Sequence, residues 1–126
     1  MAEIKFSKSH EWAKVEGKTA VIGISDYAQS ELGDIVFIDL PEVSHALKQF
    51  SRLGTVESTK AASEIYAPLS GKIIEVNTDL NNNPQWINES SYDKGWIVKI
   101  EIEDAGELQA LMDEAEYEEL IKQETH

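Results

Sequence analysis

Up to residue 103 the apolar residues of this chain fall into short, strand-like segments separated by Gly, Pro and Asn, with no strand–helix–strand alternation. Such a pattern excludes a parallel sheet with crossover helices and favours antiparallel pairing of short strands. Glu11 to Val15 and Thr19 to Ile24 read as two strands joined at Glu16-Gly17-Lys18, a hairpin-type connection. Ser25 and Asp26 are good helix N-caps, Gln29 stands three after Asp26 as in a capping box, and Gly33 is a stop. A short helix is therefore predicted over Asp26 to Leu32. Asp34 to Leu40 is a β-branched and aromatic run ended by Pro41, and reads as a strand buried on both faces. Glu42 to Ser51 has little pattern and is expected to cross irregularly, anchored by Val43, Leu47 and Phe50.

Arg52 to Ser58 and Ser63 to Ala67 flank Thr59-Lys60-Ala61, the expected tip of a β-hairpin, although this tip has no Gly, Pro or Asn. Pro68-Leu69-Ser70-Gly71 is a clearer turn leading into a strand from Lys72 to Asn77, partly buried through Ile73, Ile74 and Val76. Asn81-Asn82-Asn83-Pro84 is the strongest breaker, and the loop from there to Gly95 is expected to be pinned by Trp86 and Ile87. Gly95 to Glu103 alternates, with Trp96, Val98, Ile100 and Ile102 on the core side. At residue 104 the period changes. Asp104 with Glu107 and Asp113 with Glu116 resemble two capping boxes, and the apolar residues that follow have helical spacing. The prediction is one mostly β domain over residues 1–126, with short helices of which two, about 104–123, pack on it at the C-terminus.

Composition narrows the function. The chain has 126 residues, 41% of them hydrophobic, which argues for a folded core rather than disorder. Twenty-four acidic against 11 basic residues give a net charge of −13, which opposes nucleic-acid binding and favours basic surfaces on partners. With no cysteine, disulfides, thiol catalysis and Cys-ligated zinc are out of reach. The first residues lack a signal pattern and no apolar run approaches the roughly 20 residues a bilayer span needs. No membrane association is expected, and the compartment expected is the cytoplasm, or an organelle matrix if a presequence has been removed.

Catalytic motifs are scarce. His10, His45 and His126 lack the spacing of a helical metal site, so no metal is expected. Gly23-Ile24-Ser25-Asp26-Tyr27 begins like a nucleophile elbow but has Tyr where the second Gly belongs, which weakens a small acidic hydrolase built on Ser25. No phosphate-binding glycine fingerprint occurs, and close carboxylate pairs arise by chance in so acidic a chain. Asn88-Glu89-Ser90 matches a glycosylation sequon and reads as a chance match. What remains is Val56 to Pro68, where Lys60 stands among Ser58, Thr59, Ala61 and Ala62, small neighbours that would leave its amine open to an acylating enzyme. An amide there would remove the charge and turn the side chain into a long arm. The chain reads as a carrier, with no catalytic residue of its own.

Over nearly its whole length the sequence resembles the H-protein family of the glycine cleavage system. The ordered blocks are Ser9-His10-Glu11-Trp12, Gly23-Ile24-Ser25-Asp26-Tyr27-Ala28-Gln29, Leu32-Gly33-Asp34-Ile35-Val36-Phe37, Leu40-Pro41-Glu42-Val43, Val56-Glu57-Ser58, Lys60-Ala61-Ala62-Ser63, Tyr66-Ala67-Pro68, Ser70-Gly71, Glu75-Val76-Asn77, Asn83-Pro84, and Tyr92 with Gly95-Trp96. The resemblance implies a barrel-sandwich hybrid of the lipoyl-domain type with lipoate amide-linked to Lys60. It further implies a monomeric shuttle whose arm takes an aminomethyl group from a pyridoxal-phosphate (PLP)-dependent glycine decarboxylase to a tetrahydrofolate-dependent aminomethyltransferase. Dihydrolipoamide dehydrogenase, with FAD and NAD, then reoxidises the dithiol. The matching positions for an arm-docking cleft are Ser9, Glu11 and Glu64, and those for recognition by the lipoylating enzyme are Glu57, Glu64 and Gly71. Glu64 stands where the family usually has Asp, Thr59 where Val is usual and Ser44 where Gly is usual, and the customary Gly-containing turn before Arg52 is lost. A paralogue relaying lipoyl groups to other enzymes fits the same residues.

Overall fold

The computed structural model describes residues 3–124, so His126 lies outside the described residues. Among the described residues nine strands, β1 (Glu3–Phe6), β2 (Glu11–Glu16), β3 (Thr19–Ile24), β4 (Ile35–Asp39), β5 (Ala46–Leu47), β6 (Arg52–Ser58), β7 (Ala62–Tyr66), β8 (Gly71–Val76) and β9 (Val98–Ile102), form two sheets. One has six strands in the order β1-β2-β3-β9-β8-β5, the other three in the order β4-β6-β7. Every pairing is antiparallel. Ile22, Ile73, Val98 and Ile100 of the larger sheet and Ile35, Ile38, Val56 and Ile65 of the smaller one are buried in a shared core, the layered arrangement expected of a barrel-sandwich hybrid. Among the described residues, no helix is long and apolar enough to cross a membrane.

Helix α1 (Asp26–Leu32) has the predicted bounds, but its cap is Ser25 alone, whose hydroxyl accepts from the Ala28 amide at 3.1 Å. Gln29 instead donates from its side chain to that of Asp26. The long loop contains a 3-10 turn (Thr78–Asn81) and a short helix, α2 (Trp86–Glu89), and is pinned by fully buried Ile87 with Trp86 packed beside it. Past residue 104 come a 3-10 segment (Ala105–Ala110) and helix α3 (Glu114–Glu124). Asp113 and Glu116 do form a reciprocal box, at 2.8 and 3.1 Å. Glu107 does not return to its cap; its carboxylate is taken by the amide and hydroxyl of Ser70, both at 2.7 Å. Tyr117 of α3 stacks on Phe6 with ring centroids 4.2 Å apart, tying the helix to β1.

Four further expectations are corrected. The strand expected to be buried on both faces has a register shift between Ile35 and Phe37, so Val36 is an inserted residue and both Val36 and Phe37 face solvent. Of the three anchors between 42 and 51, only Leu47 is buried; Val43 and Phe50 are exposed. Ile74 points outward beside buried Ile73. Ile97, off the alternating face, is fully buried where the chain enters β9.

Candidate functional site

Strands β6 and β7 pair from Arg52 with Tyr66 to Glu57 with Ala62, leaving Thr59, Lys60 and Ala61 at the tip. Ser58 supplies the turn chemistry that Gly or Asn would otherwise provide. Its amide donates to the Ala61 carbonyl at 2.8 Å, while its hydroxyl accepts from the amides of Lys60 and Ala61 at 3.3 and 3.1 Å. The Thr59 amide donates to the Asp34 carbonyl at 3.0 Å, which fastens the tip to the segment between α1 and β4. Lys60 is exposed. Its aliphatic stem crosses Gly33, whose φ of +86° lies in the left-handed region that favours glycine.

The predicted recognition residues do not form one cluster. Glu57 is exposed beside the tip, opposite Ala62 and Phe37. Glu64 lies further down the outer face of β7. Gly71 is buried at the start of β8 in the other sheet, where an added β-carbon would stand 2.3 Å from the Glu101 carbonyl oxygen. Its structural duty is therefore to let β8 and β9 approach closely.

At the base of the hairpin, a groove of about 470 Å³ is lined by Lys8, Ser9, Phe50, Tyr66 and Ala110. Ser9 is on its wall, whereas Glu11 is only 2% exposed and belongs to the layer beneath. Glu11 accepts from the hydroxyls of Ser9 (2.5 Å) and Ser7 (2.6 Å) on one oxygen and from the Tyr66 amide (3.1 Å) on the other. Burial nevertheless outweighs these bonds and pushes its carboxyl above the usual range. Tyr66 in turn donates its hydroxyl to Glu64 at 2.9 Å, and that bond, with the negative charge behind it, raises the phenol. Ser9, Glu11, Tyr66 and Glu64 thus form one line, Glu11 as support and Glu64 as exposed rim.

Sequence reasoning did not place Tyr66, Phe50, Lys8 or Ala110 at a site. Tyr66 was accessible to it, since two residues after Glu64 on a strand is the same face. Phe50 was not. It is half exposed at φ +66°, a conformation that side chains rarely adopt, with its amide donating to the Ala67 carbonyl at 2.6 Å. Ser25 is completely buried and hydrogen-bonded to the Tyr117 hydroxyl at 2.5 Å, which takes it out of reach of any substrate. Among the described residues no group of three or more His, Cys, Asp or Glu side chains is placed to hold a metal ion.

The glycine cleavage H-protein family matches residues 4–124. Glycine cleavage system H proteins of Staphylococcus saprophyticus and Staphylococcus epidermidis are each 52% identical over 120 residues, covering 95% of this chain and 95% of theirs. The crystal structure of a glycine cleavage system H protein from Mycobacterium marinum superposes with a TM-score of 0.84 at 31% identity, covering 95% of this chain and 97% of that one.

Proposed function

The chain belongs to the glycine cleavage H-protein family, and from that premise we propose that it is a lipoyl-carrying shuttle of the glycine cleavage system, carrying its lipoate on Lys60. One observation carries the assignment to this lysine: Lys60 is exposed at a hairpin tip fastened on both sides, by Ser58 and by Asp34. Attachment would join Nζ to an activated lipoyl carbonyl, the ammonium losing two protons and the acyl group its leaving group. The residues present fit the group, since the amine is reachable and its neighbours Thr59, Ala61 and Ala62 are exposed and small. Lipoate would supply the dithiol–disulfide couple that a chain without cysteine lacks.

The chain's own residues have three duties in this reading. The hairpin, fastened to the segment between α1 and β4, keeps the attachment point exposed at its tip. The groove of Lys8, Ser9, Phe50, Tyr66 and Ala110 offers an apolar wall that would exclude water from a docked arm, with the Glu64 carboxylate at its rim to favour a cationic end. Glu57 stands beside the tip, where an enzyme engaging Lys60 would meet it. The rest of the assignment follows the family: residues 1–126 as one carrier domain acting as a monomer without catalysis of its own, in the cytoplasm or an organelle matrix. Its partners are the lipoylating enzyme, the PLP-dependent glycine decarboxylase, the aminomethyltransferase and dihydrolipoamide dehydrogenase.

Intact-mass analysis of protein made in a lipoate-competent host tests the attachment site. One lipoyl group is expected, absent from Lys60→Arg; peptide mapping of the group to another lysine would defeat the assignment. Reconstituted glycine cleavage then separates the shuttle from a lipoyl relay, because fully lipoylated protein that supports no turnover would favour the relay.

A further inference from the structure

The segment beneath the hairpin tip is held by a side chain from far along the sequence. Asn88, on α2, donates from Nδ2 to the Gly33 carbonyl at 2.9 Å and to Gln29 Oε1 at 2.8 Å, and its Oδ1 accepts from the Ile35 amide at 2.8 Å. All three bonds end on the stretch from Gln29 to Ile35. The same stretch carries the tip, because the Asp34 carbonyl takes the Thr59 amide and the stem of Lys60 lies across Gly33, Cε 3.4 Å from where a β-carbon would stand. Asn88 is partly buried, so water replaces these bonds poorly when they are lost. Both Nδ2 hydrogens are engaged, which also explains why the sequon reading of Asn88-Glu89-Ser90 finds no free amide here.

We infer that Asn88 is a positioning residue for the acylation of Lys60: by fixing Gly33 to Ile35 it fixes the seat from which the lysine is presented. A three-residue tip whose other bonds come only from Ser58 would otherwise sample many arrangements, and an enzyme engaging it would have to freeze them out. The inference rests on the reading of Lys60 as the attachment point, and the test separates the two. Full-length wild type, Asn88→Ala, Asn88→Asp and Asn77→Ala are lipoylated with a lipoate–protein ligase, lipoate and ATP, and kcat and KM are measured. Asn77 is the control, a buried amide bonded to the carbonyls of Lys94 and Trp96 (2.9 and 2.8 Å), which closes the base of the loop that carries α2 but bonds neither the tip nor the stretch from Gln29 to Ile35.

The expected result is a loss of about tenfold in kcat/KM for Asn88→Ala, carried by KM, short of the roughly hundredfold that an ångström-scale misplacement can cause. Asn88→Asp, which keeps the acceptor for Ile35 but turns the donor atom into a carboxylate oxygen facing the Gly33 carbonyl, should lose at least as much and stands in for it should the alanine variant not fold. Amide exchange at Thr59 should accelerate in both Asn88 variants and stay unchanged in Asn77→Ala. Equal kcat/KM in wild type and the Asn88 variants, an equal loss in Asn77→Ala, or unchanged Thr59 exchange would overturn the inference. Wild-type protein that the ligase does not modify at Lys60 would defeat the attachment reading and the acylation role with it, while Thr59 exchange still decides whether Asn88 clamps the tip.

Discussion

Glu11 and Glu64 are both carboxylates of one hydrogen-bonded line, yet burial gives them different work. The folded protein holds the Glu11 proton more tightly than the unfolded chain does, so its contribution to stability is full below the ordinary value of 4.5 and is lost as pH rises through the higher folded value. Glutamine can replace it without an orphan: its oxygen can accept from the Tyr66 amide while its amino group donates to the Ser7 and Ser9 hydroxyls, which rotate to accept. Glu11→Gln is therefore expected to flatten the fall in stability as pH rises above the ordinary carboxylate range, measured by urea denaturation at a series of pH values. A profile parallel to that of wild type would show that the buried carboxyl does not titrate as described. Ser44 poses a backbone problem instead. It sits at φ +78°, exposed, and its amide donates to the Ile73 carbonyl at 2.8 Å, a bond that glycine would keep. Relief of a left-handed non-glycine costing about 1–2 kcal/mol, less the greater unfolded-state freedom of glycine, predicts that Ser44→Gly stabilises the protein by about 0.5–1 kcal/mol. A lower midpoint in thermal or urea unfolding would contradict this.

At the scale of the element, what was legible in the sequence is what local chemistry decides. The bounds of β3 and α1 follow from alternation, Ser25 and Gly33, and the box at Asp113 and Glu116 forms because nothing else competes for either side chain. Tertiary competition accounts for the failures: Glu107 has the right spacing for a box but finds two donors on Ser70. The bulge at Val36 left no mark in an unbroken apolar run, so a strand with two exposed apolar residues read as fully buried. The hairpin was legible as two strands around Lys60, and the burial of Glu11 was not, because one of its three donors is the amide of a residue 55 positions away. The tip itself lacked a turn signature only as long as Gly, Pro and Asn were sought; Ser58 performs that role with its hydroxyl. Since the Lys60 and Ala61 amides are exposed, water can replace the bonds to Ser58. Ser58→Ala should thus change global stability by no more than about 0.5 kcal/mol while amide exchange at Lys60 and Ala61 accelerates. Exchange at those two amides matching wild type would remove Ser58 from the account of the tip.

For the whole molecule the dominant property is charge. With a net charge of −13, the chain presents a long-range field in addition to any contact made at the hairpin, and α3 concentrates it, with five glutamates and a single lysine among 11 residues. A field and a contact differ in reach. Steering acts before the surfaces touch and raises association rates by roughly 10 to 10³ at low salt, whereas a contact chiefly governs how long the complex lasts. Salt discriminates them, because the screening length falls from about 10 Å at 0.1 M to about 3 Å at 1 M. If the acidic field guides the carrier to basic faces of its enzymes, the association rate with the lipoylating enzyme should fall steeply as NaCl is raised over that range, with dissociation much less affected. Glu114→Gln with Glu118→Gln, two exposed changes on α3, should lower the low-salt association rate and leave kcat for Lys60 acylation unchanged. Stopped-flow measurement across a salt series decides the matter: an association rate independent of salt, in wild type and variant alike, would mean that the acidity has no part in partner encounter and that recognition rests on the surface around Lys60 alone.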